Sequence, residues 1–186
     1  ISENKLLQDK NKITSSLFWF ADLSPVDSVA IANLIKGDTD KSINVWSKAT
    51  KNKEVNSKNY SSFNNLSTLL LLNTLDDSKT DTFRKDIDSI GQIKSAIKLK
   101  NQFISSPFFL DHCESISKSN PINTDDAQEF FATTILDLLN KNFSSKELSG
   151  IFEGLDEKLQ DVLITSLTET PISNIKNHIE TASSLV

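Results

Sequence analysis

Glycine and proline are scarce in this chain, with four of each in 186 residues. A sandwich or barrel that turns every ten residues or so needs far more breakers, so an all-α fold is expected. Arginine is scarcer still: Arg84 stands alone among 20 basic residues, and the formal charge is only -5. Nucleic-acid backbones are gripped chiefly by forked guanidinium groups on basic surfaces, so no nucleic-acid partner is expected. The single cysteine, Cys113, cannot form an internal disulfide. That fits a reducing compartment, and a cytoplasmic location is expected, with room left for a removed signal peptide. The aliphatic run Leu69 to Leu72 is far short of the roughly 20 apolar residues that cross a bilayer, so no membrane span is expected. Methionine is missing and Ile1 stands first, as in a fragment or a processed form.

What is present begins with residues 24 to 49, which spell two short helices joined by a Gly-Asp turn. Ser24 suits an N-cap, Pro25 the first helical position and Asp27 the acidic place of a capping box. Val26, Val29, Ala30 and Leu34 then recur at helical spacing, with Ile31 and Ile35 widening the stripe. Gly37 can adopt the left-handed geometry that ends a helix, and Asp38 can cap the next one. That second helix puts Ile43, Trp46, Ala49 and Thr50 on a shared side.

Ala30, Gly37, Asp38, Ile43, Trp46 and Ala49 resemble the tetratricopeptide repeat, a helix-turn-helix unit of about 34 residues. Asn33 stands where that family often has an aromatic, Ser42 replaces a usual alanine, and the proline expected near Glu54 is missing. A second, degraded unit would begin at Tyr60, with Phe63, Leu66, Ser67 and Leu70 in its first helix. A looser resemblance takes in LFWF, the 24 to 46 block, SSFNNLSTLLLL, GQIKSAIKLKNQFISSPFF and PISNIKNHIETA. Together these blocks are similar to the helical region that follows a J-domain in some bacterial proteins. This resemblance implies a co-chaperone context, although the His-Pro-Asp tripeptide of a working J-domain is absent.

Downstream, Ile90, Ile93, Ala96, Ile97, Phe103 and Ile104 form one helical stripe, and Phe130, Phe131, Ile135, Leu138 and Leu139 form another. Leu148, Ile151, Phe152, Leu155, Leu159, Val162 and Leu163 supply a further apolar surface, with Gly154 separating two helices. A terminal helix from Pro171 would align Ile172, Ile175, Ile179, Ala182 and Val186. The expected organisation is an N-terminal aromatic segment (1-23), helical hairpins (24-106) and a C-terminal helical region (107-186), packed as one domain. Whether the helix pairs stack as a tetratricopeptide-like array or close into a compact bundle stays open.

Few residues invite catalytic or metal chemistry. His112, Cys113 and Glu114 are consecutive, so on a helix they point about 100 degrees apart and cannot converge on one ion. DDAQEFF (125 to 131) resembles a box of ubiquitin-specific cysteine peptidases, but the cysteine box that should lie upstream is absent. Acidic residues favouring a helix N-terminus, a cap closed by Gln128 and phenylalanines entering the core account for the same string. The acidic stretch Asp76, Asp77, Asp81, Asp86 and Asp88 lacks the ligand spacing of a calcium loop, because Ile90 and Ile97 occupy required places. No cofactor is expected.

The expected function is therefore a non-enzymatic helical scaffold for protein-protein interaction, binding a peptide or partner helix, with chaperone machinery as one candidate partner. If the repeat alignment holds, Asp27, Ile31, Asn64, Asn65 and Thr68 face the binding groove. The alternatives are a cysteine-dependent hydrolase around Cys113 and a structural spacer or dimerisation module. The LFWF cluster at Leu17 to Phe20 is expected beneath the first hairpin, as most aromatic clusters are buried.

Overall fold

The computed structural model describes residues 3-75, 87-118 and 122-168, and every regular element among them is helical. In chain order these are α1 (Glu3–Ser16), α2 (Pro25–Ile35), α3 (Thr39–Thr50), α4 (Tyr60–Leu75), α5 (Ile87–Ile104), α6 (Phe108–Ile116), α7 (Thr124–Leu139) and α8 (Ser145–Phe152). A further helix, α9, runs through residues 157-168. No described helix is long and apolar enough to cross a membrane. The chain divides into two compact units, residues 1-128 and 129-186, and the boundary falls inside α7.

In the first unit the hairpin forms as its caps dictate. Ser24 accepts from the Asp27 N–H at the start of α2, and Pro25 occupies the first turn. Gly37 takes a φ of 80°, and the Gly37 and Asp38 N–H groups donate to Leu34 and Asn33 carbonyls that the helix end would otherwise strand. The Asp38 side chain then caps α3. Trp46 on α3 meets Asp27 on α2, and Ser42 meets Ala30, so the two helices run antiparallel. Ala30 and Ser42 are small enough to let the backbones approach, and the Ser42 hydroxyl donates to the Ala30 carbonyl at 2.8 Å. The apolar stripe of α2 is narrower than its spacing suggests: Ala30 is buried, but Val29 and Ile35 are exposed.

Helix α4 is the centre of this unit. Every residue from Ser61 to Leu71 is buried, polar and apolar alike, so this stretch of the helix has no wet face. Asn73 meets Gln92, Ser67 meets the Ala96 carbonyl and Asn64 meets Lys100, which makes α5 antiparallel to α4. The stripe of Ile93, Ala96, Ile97, Phe103 and Ile104 is wholly buried. No tetratricopeptide array is seen among the described residues: the hairpin is followed by a helix buried all round, not by a second hairpin of the same kind.

At its N-terminus α7 is capped by Asn123, whose side chain accepts from the Asp126 N–H. The cap expected of Gln128 is not formed. Gln128 instead donates to Asn101 and Ser105 at the end of α5, at 2.9 and 3.0 Å. In the second unit, Phe131, Ile135, Leu139, Leu148, Ile151, Phe152, Leu159 and Leu163 are buried, while Phe130 remains partly exposed. Ser144 and Glu147 form a reciprocal capping box for α8. Gly154, at a φ of 76°, turns the chain toward α9 as its position suggests. The terminal stripe from Ile172 to Val186 and the acidic residues Asp76 to Asp86 lie outside the described residues.

Candidate binding site

Four of the five residues expected to face a groove are brought together, but inside the unit. Asp27, Asn64 and Asn65 have no exposed surface and Thr68 has 2%, whereas Ile31 is half-buried on α2 and takes no part in the cluster. The expectation that all five line an open surface is corrected by the enclosure of α4, whose polar side chains find partners within the fold.

Asp27 is the hub. Its Oδ1 accepts from Trp46 Nε1 at 2.9 Å, Asn65 Nδ2 at 3.0 Å and the Ser62 hydroxyl at 3.2 Å. Its Oδ2 accepts from the hydroxyls of Ser61 at 2.5 Å and Ser24 at 2.7 Å, and from the Leu23 N–H at 3.4 Å. A buried carboxylate is tolerated only when such donors replace its water. One side chain thereby ties the start of α2 to α3 and α4.

Asn65 extends this network to the backbone. With one N–H held by Asp27, its other N–H donates to the Ala21 carbonyl at 2.7 Å, and its Oδ1 accepts from the Ala21 N–H at 2.8 Å. A single carboxamide can bond both groups of one residue only when they point the same way, as they do in an extended strand. Asn64 reaches the neighbouring stretch, donating to the Trp19 carbonyl at 2.9 Å. The segment after α1 is therefore held through its main chain. Of the LFWF cluster only Leu17 is fully buried; Trp19 is 55% exposed and Phe20 37%, contrary to the expected burial of all four. Phe20 stacks on the buried Trp46 ring at 5.7 Å.

Lys100 is the second hub. Its Nζ meets the Leu17 carbonyl, Asn64 Oδ1 at 2.5 Å, Thr68 Oγ1 at 3.0 Å and the Asn64 carbonyl at 3.2 Å, and lies 5.7 Å from the Phe18 ring centre. All four hydrogen-bond partners are neutral oxygens. Complete burial therefore pushes the pKa of this amine well below the ordinary lysine value. Because the folded state then holds its proton less tightly than the unfolded chain, stability should rise with pH above the depressed pKa and up to about 10.4. Urea unfolding between pH 7 and pH 9 should show this rise in the native chain and lose it in Lys100→Met. An identical pH trend in both would remove Lys100 as its source. The residue was findable: Lys100 falls in register with Ile93, Ala96, Ile97 and Ile104.

His112 and Cys113 diverge as helical neighbours must. His112 is buried on α6, with Nε2 3.1 Å from the Ser16 hydroxyl of α1. Cys113 has no exposed surface, and burial pushes its thiol up to about 12. An activated thiolate needs the opposite environment, with exposure and nearby positive charge. Native Cys113 should not react with iodoacetamide at pH 7.5, and should react once the chain is unfolded in urea. Rapid modification of the folded chain, followed by mass spectrometry, would instead restore a reactive-thiol reading.

A groove of about 1110 Å³ in this unit lies over α4, bordered by the end of α3, the loop that follows it and α5. Leu66, Leu70 and Leu99 contribute apolar lining, and Lys51, Lys53, Lys98, Glu54 and Asp88 bring charge of both signs. Gly91 and Ser95, one helical turn apart on α5, are exposed there, and a Cβ added at Gly91 would meet nothing within 4 Å. Sequence reading missed this surface because residues from three separate stretches build it. Comparison of the chain with protein-family models, curated proteins and solved structures finds no match.

Proposed function

We propose that this chain is a non-enzymatic helical scaffold that binds another protein by receiving a peptide or partner helix in the groove between α3 and α5. The observation that carries this reading is the groove itself, with leucines in its lining and both signs of charge around it. The half-buried Leu99 offers apolar area for a ligand to cover, with Leu66 and Leu70 beneath, and flanking polar groups select orientation. The polar network that ties α4 to α3 and α5 supports the reading too, because a bonded interior holds the walls without requiring the ligand to order them. The co-chaperone resemblance makes chaperone machinery the first class of partner to test.

The test is selection of a displayed peptide library on the native chain, with each enriched peptide then measured against Ser95→Trp. Ser95 is exposed, so the indole fills the groove without disturbing the core. Peptides that bind the native chain and lose at least tenfold in affinity to the variant are expected. Equal binding to both proteins would place the contact elsewhere and sink the groove reading.

A further inference from the structure

The expected site residues Asn64 and Asn65 already hold a peptide backbone, and that backbone belongs to this chain. Asn65 reads the N–H and C=O of Ala21 as a neighbouring strand would, and Asn64 takes the Trp19 carbonyl. Asp27 fixes the Asn65 amide in the required orientation and also takes the Leu23 N–H. These bonds span 44 or 45 positions in sequence for the two asparagines, so they are not local turn chemistry. They fall on main-chain atoms, leaving Trp19, Phe20 and Leu23 at 55, 37 and 48% exposure. Phe20 keeps one face on the buried Trp46 ring, but Trp19 and Leu23 show about half of their surface to solvent, so the backbone grip does more than bury side chains.

We propose that Asn64 and Asn65 form a backbone-reading site for an extended, aromatic-rich peptide, occupied in this structure by residues 19-23 as an internal ligand. Main-chain pairing of this kind supplies affinity that is largely independent of sequence, and side chains at the surface add selectivity. The site is separate from the α3–α5 groove and does not depend on it. Displacement of the internal segment would free Trp19, Phe20 and Leu23 together. The fold then has a closed form, with the segment seated, and an open form, with an external strand in its place.

A tethered segment competes at the effective concentration of its linker, of the order of millimolar for a short one, so a free peptide should bind the native chain weakly. The probe is a fluorescein-labelled peptide with the sequence of residues 16-24, titrated by anisotropy against the whole chain. Ala21→Pro removes the N–H that Asn65 accepts and so weakens the internal occupant. It should bind the probe at least tenfold more tightly than the native chain does, and adding Asn65→Leu should abolish that gain. In the native chain, a probe N-methylated at the alanine equivalent to Ala21 should lose binding, a comparison that holds even if Ala21→Pro does not fold. Equal affinity of the methylated and unmethylated probes, no gain in a folded Ala21→Pro variant, or no saturable binding to either protein would each overturn the proposal.

Discussion

Asp27→Ala is expected to lower the unfolding free energy by about 4 kcal/mol, a large fraction of the roughly 5–15 kcal/mol available to a typical domain. The estimate follows from what the substitution strands. Six donors converge on this carboxylate, and the serine hydroxyls among them can rotate toward other acceptors. Trp46 Nε1 cannot, because its ring is fully buried and stacked, and the inner N–H of Asn65 is fixed by the two bonds its amide makes to Ala21. Each buried donor left without a partner costs about 1–3 kcal/mol. The Leu23 N–H at the entry to α2 loses the same acceptor, while the Ser24 cap on the residue-27 N–H is kept. Urea unfolding followed by circular dichroism measures the sum. Trp46→Phe, which removes the donor and keeps a ring, should couple to Asp27→Ala by at least about 1 kcal/mol in a double-mutant cycle. Additive effects would mean that the indole and the carboxylate act independently.

Acidification should weaken the fold through His112 by about 3 kcal/mol between pH 6.5 and pH 4. The Ser16 hydroxyl donates to the Ile13 carbonyl at 2.6 Å, so towards His112 it can only accept, and the imidazole must carry its proton on Nε2. Nδ1 is left without a hydrogen-bond partner among the described residues. A second proton there would put a buried charge against no acceptor. Burial first, and then the charge of Lys100, hold the imidazole down at about 4 against an ordinary 6.5. Since the folded pKa lies below the unfolded one, the unfolded chain takes up the proton first as pH falls. The stabilisation is complete above pH 6.5, declines through the interval and is gone below pH 4. His112→Gln retains a donor for Ser16 and cannot titrate. Comparing urea midpoints at pH 7 and pH 4.5, the native chain should lose more stability than the variant; equal losses would assign the acid sensitivity to carboxylates alone.

The parts of this fold that were legible are those whose chemistry is local. Ser24, Pro25, Gly37 and Asp38 announce the hairpin because a cap is decided within a few residues, and Gly154 likewise marks the end of α8. The enclosure of α4 was not legible. Asn64, Asn65 and Thr68 look like a solvated face, since periodicity distinguishes one wet side from one dry side but cannot see that a polar side is covered too. Asp27, Asn64, Asn65 and Thr68, expected on an open groove, are buried instead. The LFWF cluster failed for a related reason: composition assigns aromatics to the core, while the bonds that hold Trp19 and Ala21 come from α4, far along the chain.

The all-round burial of α4 also limits how evolution or engineering can edit this protein. Turning the helix by a single residue, about 100 degrees, would swing Asn65 away from both Asp27 and Ala21. Hydrophobic matching alone would leave several rotations of this helix nearly equivalent; its amides and hydroxyls leave one. A one-residue insertion in the middle of α4 should therefore be far more disruptive than the same insertion in the turn around Asn52, even though both add a single amino acid.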